Sequence, residues 1–511
     1  MKFISLKQSA MCVCVAILIH QACIAQGANA NWCFGDSAGL KFVGVNTPTN
    51  FKSGALSKGE TATISDANGN LLFYAFGIAT NADPCLEVHD NSFQQMQNGD
   101  SLIGDTWYQT EVILPMPGND SLYYLFSSQG GSYNGVFYSI ISKKDISKTG
   151  KVLQKNNQIY EARIADYIQT VKHGNGRDWW LITHLGGTIP SDTFYVWLID
   201  PSGITGPFKQ NIGFNTVEDF RKVCFNSTGT KFTEVSYQGI INEFDFDRCT
   251  GTISNQRIIR YPNNVLVLYP YVPVFWSVAY SHNDNYLYVS NLGRYSDSTN
   301  IYQLDMSLTN PWASRDTIWE YPSKSSAGMI RLAPDHKIYV SMWYIWDSLQ
   351  FPFPYPDSVF VTQNTYLGVI NSPDSPSTSC NFQPFSYYLG GARTYIGTSN
   401  LPDYNLGPLV GSGCDTLSLP NPSQGGALGT MSAYIHHDWQ TIFVNAQKLK
   451  GQNVTMSVYD GLGSLKFEVE SLKAVGGYFT QNINAANWPA GLYLIELKTE
   501  KEKIACKVVK Y

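Results

Sequence analysis

Residues 65–77 of the chain read SDANGNLLFYAFG, a polar turn followed by a short strand of aromatic and aliphatic side chains. Five further copies of this arrangement follow, at intervals of 50, 58, 52, 55 and 51 residues. They read PGNDSLYYLFSS (117–128), HGNGRDWWLITH (173–184), NSTGTKFTEVS (226–236), SHNDNYLYVSN (281–291) and APDHKIYVSM (333–342). Self-similarity at this period predicts one supersecondary unit repeated along the chain.

Each copy forms the second half of a predicted hairpin, because an alternating strand precedes every turn. These first strands are predicted at 61–64, 111–114, 168–171, 222–225, 277–280 and 329–332. A third strand follows each hairpin, as in GVFYSII, FYVWLID and INEFDFD. A small sheet cannot bury both faces alone, whereas sheets packed around an axis can. We therefore predict an all-β fold with a β-propeller over residues 27–406, and an array of β-sandwiches is the competing arrangement.

The two ends of the repeat region look like parts of one divided unit. The segment ARTYIGTSNLPDY (392–404) resembles a first strand that no hairpin follows. The segment NWCFGDSAGLKFV (31–43) resembles later strands that no first strand precedes. Joining them would close the ring and leave no open sheet edge. Seven blades are therefore favoured, with six as the alternative.

The composition fits a β protein and excludes a polyanion-binding surface. Of the 511 residues, 15% are charged and 14% are aromatic, and the chain contains 43 Gly. Many aromatic residues and turn formers with few charges favour strands over long helices. Because the formal net charge is -5, we expect no nucleic-acid partner.

The N-terminus has the pattern of a secretory signal peptide over residues 1–26. Lys2 and Lys7 are followed by an apolar run at 11–19 and by small residues before Gln26. This run is shorter than a membrane span, and no longer one follows, so we predict no transmembrane span. Export permits disulfides, and Cys224 with Cys249 is the favoured pair.

The sequence contains no compact catalytic or metal-binding motif. The HExxH, GxSxG, CxxC and phosphate-loop patterns are absent. We therefore predict no catalytic residue, no metal and no cofactor. Carboxylates from several blades could still form a dispersed active site, although each candidate is expected in a turn or at the surface. These candidates are Asp66, Glu111, Asp166, Glu218 and Asp219.

Aromatic side chains beside loops are the candidate ligand-binding residues. Trp107, Tyr108, Trp343 and Trp346 border segments rich in Gly, Asp and Pro. Loops carried on a rigid scaffold are common places for recognition. These four residues are therefore predicted to stack against sugars or peptides.

A turn-rich linker is predicted at 407–419, followed by a small Ig-like β-sandwich at 420–511. Gly and Pro are frequent in the linker. Beyond it, short alternating strands resume, for example NVTMSVYD (453–460) and GLYLIELK (491–498).

Both regions resemble known groups of proteins. The repeats FNSTGTKFTEV, AYSHNDNYLYVSN and RLAPDHKIYVSM are similar to the propeller domains of secreted Bacteroidetes proteins. The motifs PNPSQGG (420–426), SVYDGLG (457–463) and WPAGLYLIEL (488–497), with a basic end, resemble the type A sorting domain of the type IX secretion system. On this resemblance the sorting residues are Pro420, Asn421, Pro422, Gly461, Gly463, Gly491, Tyr493, Lys507 and Lys510.

The resemblance implies a route and a partner. The signal peptide would deliver the chain to the periplasm, and the outer-membrane machinery would recognise the sorting domain. The product would be secreted or held at the outer-membrane surface. The expected function is a module that binds a protein or a glycan. The alternatives are an extracellular hydrolase or lyase, and a structural adhesin or surface-layer component.

Overall fold

The computed structural model describes most of the chain beyond the predicted signal peptide. The described residues are 27–78, 86–105, 108–129, 135–143, 150–187, 190–216, 219–261, 274–291, 298–322, 326–343, 356–415, 430–436, 440–460, 464–475, 477–489, 491–501 and 503–510. In these ranges the regular structure consists of strands and four short 3₁₀ helices, at Pro311–Ser314, Asp357–Val359, Thr362–Thr365 and Ser377–Cys380.

Between residues 31 and 388 the described strands form seven antiparallel sheets, each made of strands consecutive in the chain. Sheets 1 and 2 contain β1 (Asn31–Phe34), β2 (Asp36–Lys41) and β3 (Thr49–Leu56), then β4 (Ala62–Ser65), β5 (Leu71–Gly77) and β6 (Leu86–Asp90). Sheets 3 and 4 contain β7 (Glu111–Pro115), β8 (Leu122–Gln129), β9 (Gly135–Ser142) and β10 (Lys151–Tyr160), then β11 (Gln169–Lys172), β12 (Trp179–His184), β13 (Ser191–Asp200) and β14 (Gly203–Thr216).

The remaining three sheets repeat the same four-stranded plan. Sheet 5 contains β15 (Arg221–Phe225), β16 (Lys231–Ser236), β17 (Ile241–Phe246) and β18 (Ile253–Arg260). Sheet 6 contains β19 (Phe275–Tyr280), β20 (Tyr286–Asn291), β21 (Ser298–Asp305) and β22 (Asp316–Pro322). Sheet 7 contains β23 (Ser326–Leu332), β24 (Ile338–Trp343), β25 (Tyr366–Ile370) and β26 (Phe382–Tyr388). The predicted hairpins are confirmed, and each is the start of its own sheet.

Each polar turn of these hairpins contains a residue with a positive φ. In the first repeat, Gly69 has φ +77°, and the Asp66 carboxylate accepts hydrogen bonds from the backbone N–H groups of Asn68 and Asn70. A positive φ recurs in the other five turns, at Gly118, Gly176, Gly229, Asp284 and His336. Glycine adopts this conformation without steric cost, which explains why most copies carry an Asn/Asp/Gly turn.

The sheets close into a propeller through contacts between sheet 7 and sheet 1. The rings of Trp32 and Tyr339 meet edge to face with centroids 6.0 Å apart. The Tyr387 hydroxyl donates to the Pro48 carbonyl at 2.7 Å. Residues from both ends of the repeat region therefore share one core, which buries Trp32 and Tyr339 almost completely.

The two segments predicted to form one divided unit lie side by side. Asp36 and Arg393 exchange two backbone hydrogen bonds, of 2.9 and 3.0 Å. The backbone N–H of Thr61 donates to Thr398, and Met329 donates to Ile396. The first strand of each sheet lies nearest the propeller axis, and we call it the inner strand. Residues 393–400, which we call the closing segment, thus run between the inner strands of sheets 7 and 2. They make isolated bridges instead of the continuous first strand that the sequence predicted.

Residues 401–415 leave the axis across the turns of sheets 4 and 5. Arg248 Nη2 donates to the Gly407 carbonyl at 2.6 Å, and the Leu409 N–H donates to Gly174 at 2.8 Å. A disulfide then joins Cys249 to Cys414, whose Cα atoms are 5.5 Å apart. Much of the predicted linker 407–419 is therefore held against the propeller.

The predicted pairing of Cys224 with Cys249 is wrong. Cys224 lies inside β15, next to the axis, and its thiol is free. Cys249 lies in the turn after β17, where the outgoing segment brings Cys414 to it. The other free cysteines among the described residues are Cys33, Cys380 and Cys506.

The C-terminal region is a small β-sandwich, as predicted. One sheet has the order β27 (Thr430–His436), β28 (Thr441–Gln447) and β31 (Phe479–Asn484). The other has the order β30 (Leu465–Lys473), β29 (Asn453–Asp460), β32 (Gly491–Thr499) and β33 (Lys503–Lys510). The inward-facing residues of both sheets form one core that includes Val444, Met456 and Ile495.

Candidate functional site

Asn400 lies at the axis of the propeller and is completely buried. Its Nδ2 donates to the backbone carbonyls of Glu111 at 2.9 Å and Ile168 at 3.2 Å. Its Oδ1 accepts from three side chains, those of Gln109 (3.2 Å), Gln169 (3.3 Å) and Arg331 (3.1 Å). One side chain of the closing segment therefore binds to the inner strands of sheets 3, 4 and 7.

Lys222, near the start of β15, lies among four carboxyl groups. Its ammonium interacts electrostatically with all of them, namely Glu60, Asp105, Glu111 and Asp166. Lys222 is only 5% exposed, and its Nζ has no hydrogen-bond partner. Three of these carboxyl groups lie at or just before the beginnings of the first strands of sheets 2, 3 and 4, which approach one another at the axis, and Asp105 lies in the segment between sheets 2 and 3.

Burial shifts the protonation of this charged cluster. Burial, with a smaller contribution from the Asp105 charge, raises the pKa of Glu111 well above its usual value. The same two causes raise the pKa of Asp166. Burial also lowers the pKa of Lys222 to about 8, although the surrounding carboxylates oppose that shift. Glu111 and Asp166 therefore keep their protons at pH values where an ordinary carboxyl group has lost its proton.

Four aromatic side chains surround this end of the axis, and we call them the aromatic cluster: Tyr108, Phe220, Tyr237 and Trp276. Phe220 and Tyr237 are stacked at 4.6 Å, and Tyr237 lies 5.4 Å from Trp276. Lys222 Nζ is 5.1 Å from the centre of the Tyr108 ring, within the range of a cation–π contact. Trp276 is buried, but the other three rings are partly exposed. The cluster thus presents aromatic faces above a buried charged group.

A cavity of about 370 Å³ extends from Lys222 along the inner strands to the hairpin turns of sheets 5–7. The outgoing residues 401–406 form one wall. Cys224 lines the cavity with its free thiol. Ser227, Asp403 and Asn405 line it and are exposed, so the cavity opens on the hairpin face. The aromatic cluster lies at the opposite end, where the inner strands begin.

The structure brings together two of the four predicted ligand-binding residues. Tyr108 belongs to the aromatic cluster, and Trp343 packs against the same group of buried residues. Both are half-buried. Trp107 and Trp346 lie outside the described residues. Phe220 and Tyr237 were missed, because no repeat position or motif distinguishes them from interblade aromatic residues.

The candidate carboxylates fall into different environments. Glu111 is buried at the axis, so the expectation that it lies in a turn or at the surface is wrong. Asp166 is half-buried in a bend before β11. Asp66 caps a hairpin turn, as expected. Asp219 accepts from Arg163 Nη2 at 2.5 Å in a surface ion pair. Glu218 lies outside the described residues.

Neither a metal centre nor a membrane helix is found in the described part of the chain. No group of three or more His, Cys, Asp or Glu side chains there is arranged to hold a metal ion. No helix in the same ranges is long and apolar enough to cross a bilayer.

The predicted sorting residues that are described lie at one end of the C-terminal sandwich. The Tyr493 hydroxyl donates to the Pro489 carbonyl at 2.7 Å. Lys510 is buried, and its Nζ donates to the carbonyls of Ala485 (2.8 Å) and Trp488 (2.6 Å). Gly491 has φ +155°, and Lys507 is exposed on β33, the edge strand of its sheet. Pro420, Asn421, Pro422, Gly461 and Gly463 lie outside the described residues.

The family model of the secretion system C-terminal sorting domain matches residues 438–511. These residues are a type IX sorting domain. The sorting domain directs the chain out of the cell or to the cell surface, and the chain is therefore a type IX secretion cargo with a β-propeller body. No curated protein is similar enough to the chain to count as a relative.

Solved structures share only a general likeness with the chain. PorZ, a surface component of the type IX secretion system of Porphyromonas gingivalis, is 13% identical with a TM-score of 0.30, covering 95% of this chain and 59% of PorZ. The Dos1 propeller is 11% identical with a TM-score of 0.36, covering 81% and 76%. The hydrazine synthase of Kuenenia stuttgartiensis is 13% identical with a TM-score of 0.37, covering 63% and 95%.

Proposed function

We propose that the exported propeller binds a glycan at the aromatic cluster. The observation that carries this proposal is the partly exposed set of Tyr108, Phe220 and Tyr237 around the axis. Flat aromatic faces offer large contact areas at a low cost in conformational entropy, which suits them to sugar rings. The carboxyl groups and the ammonium beneath them supply hydrogen-bond partners for hydroxyl groups.

The domain layout that accompanies this function is the one the sequence predicts. A signal peptide occupies 1–26, the propeller 27–406, the linker 407–419 and the sorting domain 420–511. The type IX machinery is the partner of the last of these, and the surface around the exposed Lys507 on β33 is a suitable docking surface for it. The disulfide at Cys414 ties the first part of this linker to the propeller.

The test uses cellohexaose, xylohexaose and mannohexaose as probes in isothermal titration calorimetry with the exported chain. We expect at least one of them to bind, and F220A and Y237A each to weaken that binding by about tenfold or more. Y388A is the matched control, because Tyr388 is an exposed tyrosine on the outer strand β26. Equal affinities for Y237A and Y388A would contradict the proposal, as would the absence of binding to every probe.

Glycan cleavage at the same place is the second candidate, supported by the carboxyl groups of buried Glu111 and half-buried Asp166. Glu111 and Asp166 have raised pKa values, as a general acid requires. If the protein is a hydrolase, the wild-type chain releases new reducing ends from a bound oligosaccharide, and E111Q or D166N abolishes the release without abolishing binding. Binding with no release in the wild type favours a recognition module.

A further inference from the structure

Phe443, in the sorting domain, is buried by the propeller and not by its own sandwich. Its neighbours on β28, Ile442 and Val444, point into the sandwich core. Successive side chains of a strand point to opposite faces, so Phe443 points away from that core. It is nevertheless only 2% exposed, and it packs with the buried residues of sheets 4 and 5. In a sandwich that hung free of the propeller, this ring would lie in water.

The outer strand of sheet 4, β14, receives this face of the sorting domain. The rings of Phe443 and Phe208 meet edge to face, with centroids 6.4 Å apart. Asn482 lies directly opposite Phe443 on the neighbouring strand β31, so the two side chains share one face of the sheet. The Nδ2 atom of Asn482 donates to Thr205 Oγ1, also in β14, at 3.5 Å. An apolar contact and a hydrogen bond thus join the same face to the same strand.

A third contact lies at the hairpin turn of sheet 4. The guanidinium of Arg177 lies 5.4 Å from the centre of the Tyr478 ring, within the range of a cation–π contact. Asp178 holds this guanidinium in place through hydrogen bonds of 2.6 and 2.9 Å. The two domains therefore meet through apolar, polar and cation–π contacts, the mixture that is typical of a specific interface.

The linker starts beside the same turn. The Leu409 N–H donates to the carbonyl of Gly174 in this turn, and Cys414 is bonded to Cys249. Only 15 residues separate Cys414 from Thr430, the first residue of β27. A short tether gives the sorting domain an effective concentration at sheet 4 of roughly millimolar, so a modest interface is enough to keep it docked.

We infer that sheet 4 is a docking surface for the chain's own sorting domain, which is therefore carried as a fixed part of the propeller. The docked domain hides the face that carries Phe443. Its other sheet points away from that face and leaves Leu465 51% and Leu494 37% exposed, together with Lys507. The propeller thus decides which face of the sorting domain a partner can reach. The consequence for the type IX machinery rests on the proposed docking around Lys507, whereas the contact with sheet 4 does not.

Disulfide cross-linking in the purified chain, with its sorting domain attached, tests the docked position. T205C/N482C places two thiols where the native side chains are 3.5 Å apart. T205C/K498C is the matched control, because Lys498 is exposed on the other sheet of the same sandwich. Both variants are oxidised in a glutathione buffer, and peptide mapping measures how fast each engineered pair forms. We expect the first pair to form about tenfold faster or more than the control pair, since a disulfide requires closely placed Cβ atoms.

Two further variants test the contact from its two sides. F443A and F208A, each added to T205C/N482C, should slow cross-linking by about fivefold or more, because each removes apolar surface that docking buries. L494A is the control and should leave the rate unchanged, since Leu494 lies on the open face. F208A supplies the measurement if F443A fails to fold.

Three results would overturn the inference. Equal rates for the two cysteine pairs would show a sorting domain that moves freely on its tether. The absence of a T205C/N482C cross-link would contradict the docked position, and an unchanged rate in both F443A and F208A would contradict the contact. Failure of the hexasaccharides to bind would leave the inference standing, because those probes test the aromatic cluster. Normal recognition of a chain that lacks Lys507 would likewise leave the cross-linking result unchanged, because the cross-link forms without the machinery.

Discussion

Replacing Asn400 by alanine should be one of the most destabilising changes in the propeller. The substitution removes five hydrogen bonds and leaves two carbonyls, two amides and a guanidinium without that partner, in a place with no exposure. At about 1 kcal/mol for each neutral bond and about 2 kcal/mol for the charged one, the loss is about 6 kcal/mol. Water entering the vacated space recovers part of this, so we expect about 3–6 kcal/mol.

Urea unfolding of the exported chain, followed by tryptophan fluorescence, measures the effect. N405A is the matched control, because Asn405 follows closely in the same segment but is exposed. Its cost should stay within about 0.5 kcal/mol. A loss of less than about 1 kcal/mol for N400A would refute the view that this amide holds the inner strands together.

Three further predictions concern the disulfide and the buried charges. C414S should lower the free energy of unfolding by about 2–5 kcal/mol, whereas C224S should leave the response to reductant unchanged; unfolding with and without reductant checks both. The pKa of Glu111 is raised, so its protonated form stabilises the fold at low pH and that contribution is lost as pH rises through the folded value. E111Q should therefore raise the melting temperature at alkaline pH relative to the wild type, but not below about pH 4.5, and parallel pH profiles would sink this view. Lys222 has its pKa lowered from 10.5 to about 8, so its charged form costs stability below that value. K222M should therefore raise the melting temperature more at neutral pH than above about pH 10.5, and equal gains at both pH values in thermal unfolding would exclude a cost of its charge. The carboxyl groups that face Lys222, and whose titration must be considered with it, are Glu60, Asp105, Glu111 and Asp166.

The strands were readable from the sequence because each repeat carries its own local signals. A turn such as the one at Gly69 and the alternation on either side of it specify a hairpin without any distant contact. The sorting domain could be predicted for the same reason, since its motifs lie close together in the chain. The division of one unit between 31–43 and 392–404 was also predicted, although residues 393–400 make isolated bridges and not a continuous strand.

The axial site could not be derived in the same way. Glu111, Asp166 and Lys222 occupy similar places in three different sheets, and no spacing in the chain reveals that these places converge. No motif around Asn400 distinguishes it in the sequence. Its hydrogen bonds to the inner strands form only because residues 393–400 pass along the axis. The prediction of the disulfide was wrong for a related reason. Cys414 comes close to Cys249 only because the chain leaves the axis beside Gly174.

The closing segment also sets the order in which an exported chain can acquire its shape. The Cys33 N–H donates to Ser399 Oγ across 366 positions in the sequence. A chain that crosses the inner membrane from its N-terminus exposes its first sheet long before that partner arrives. Contacts of such long range form late, and the waiting sheets present open edges to anything nearby. The sorting domain follows Cys414 in the chain, so the outer-membrane machinery can recognise it only when every residue that closes the ring is already in the periplasm.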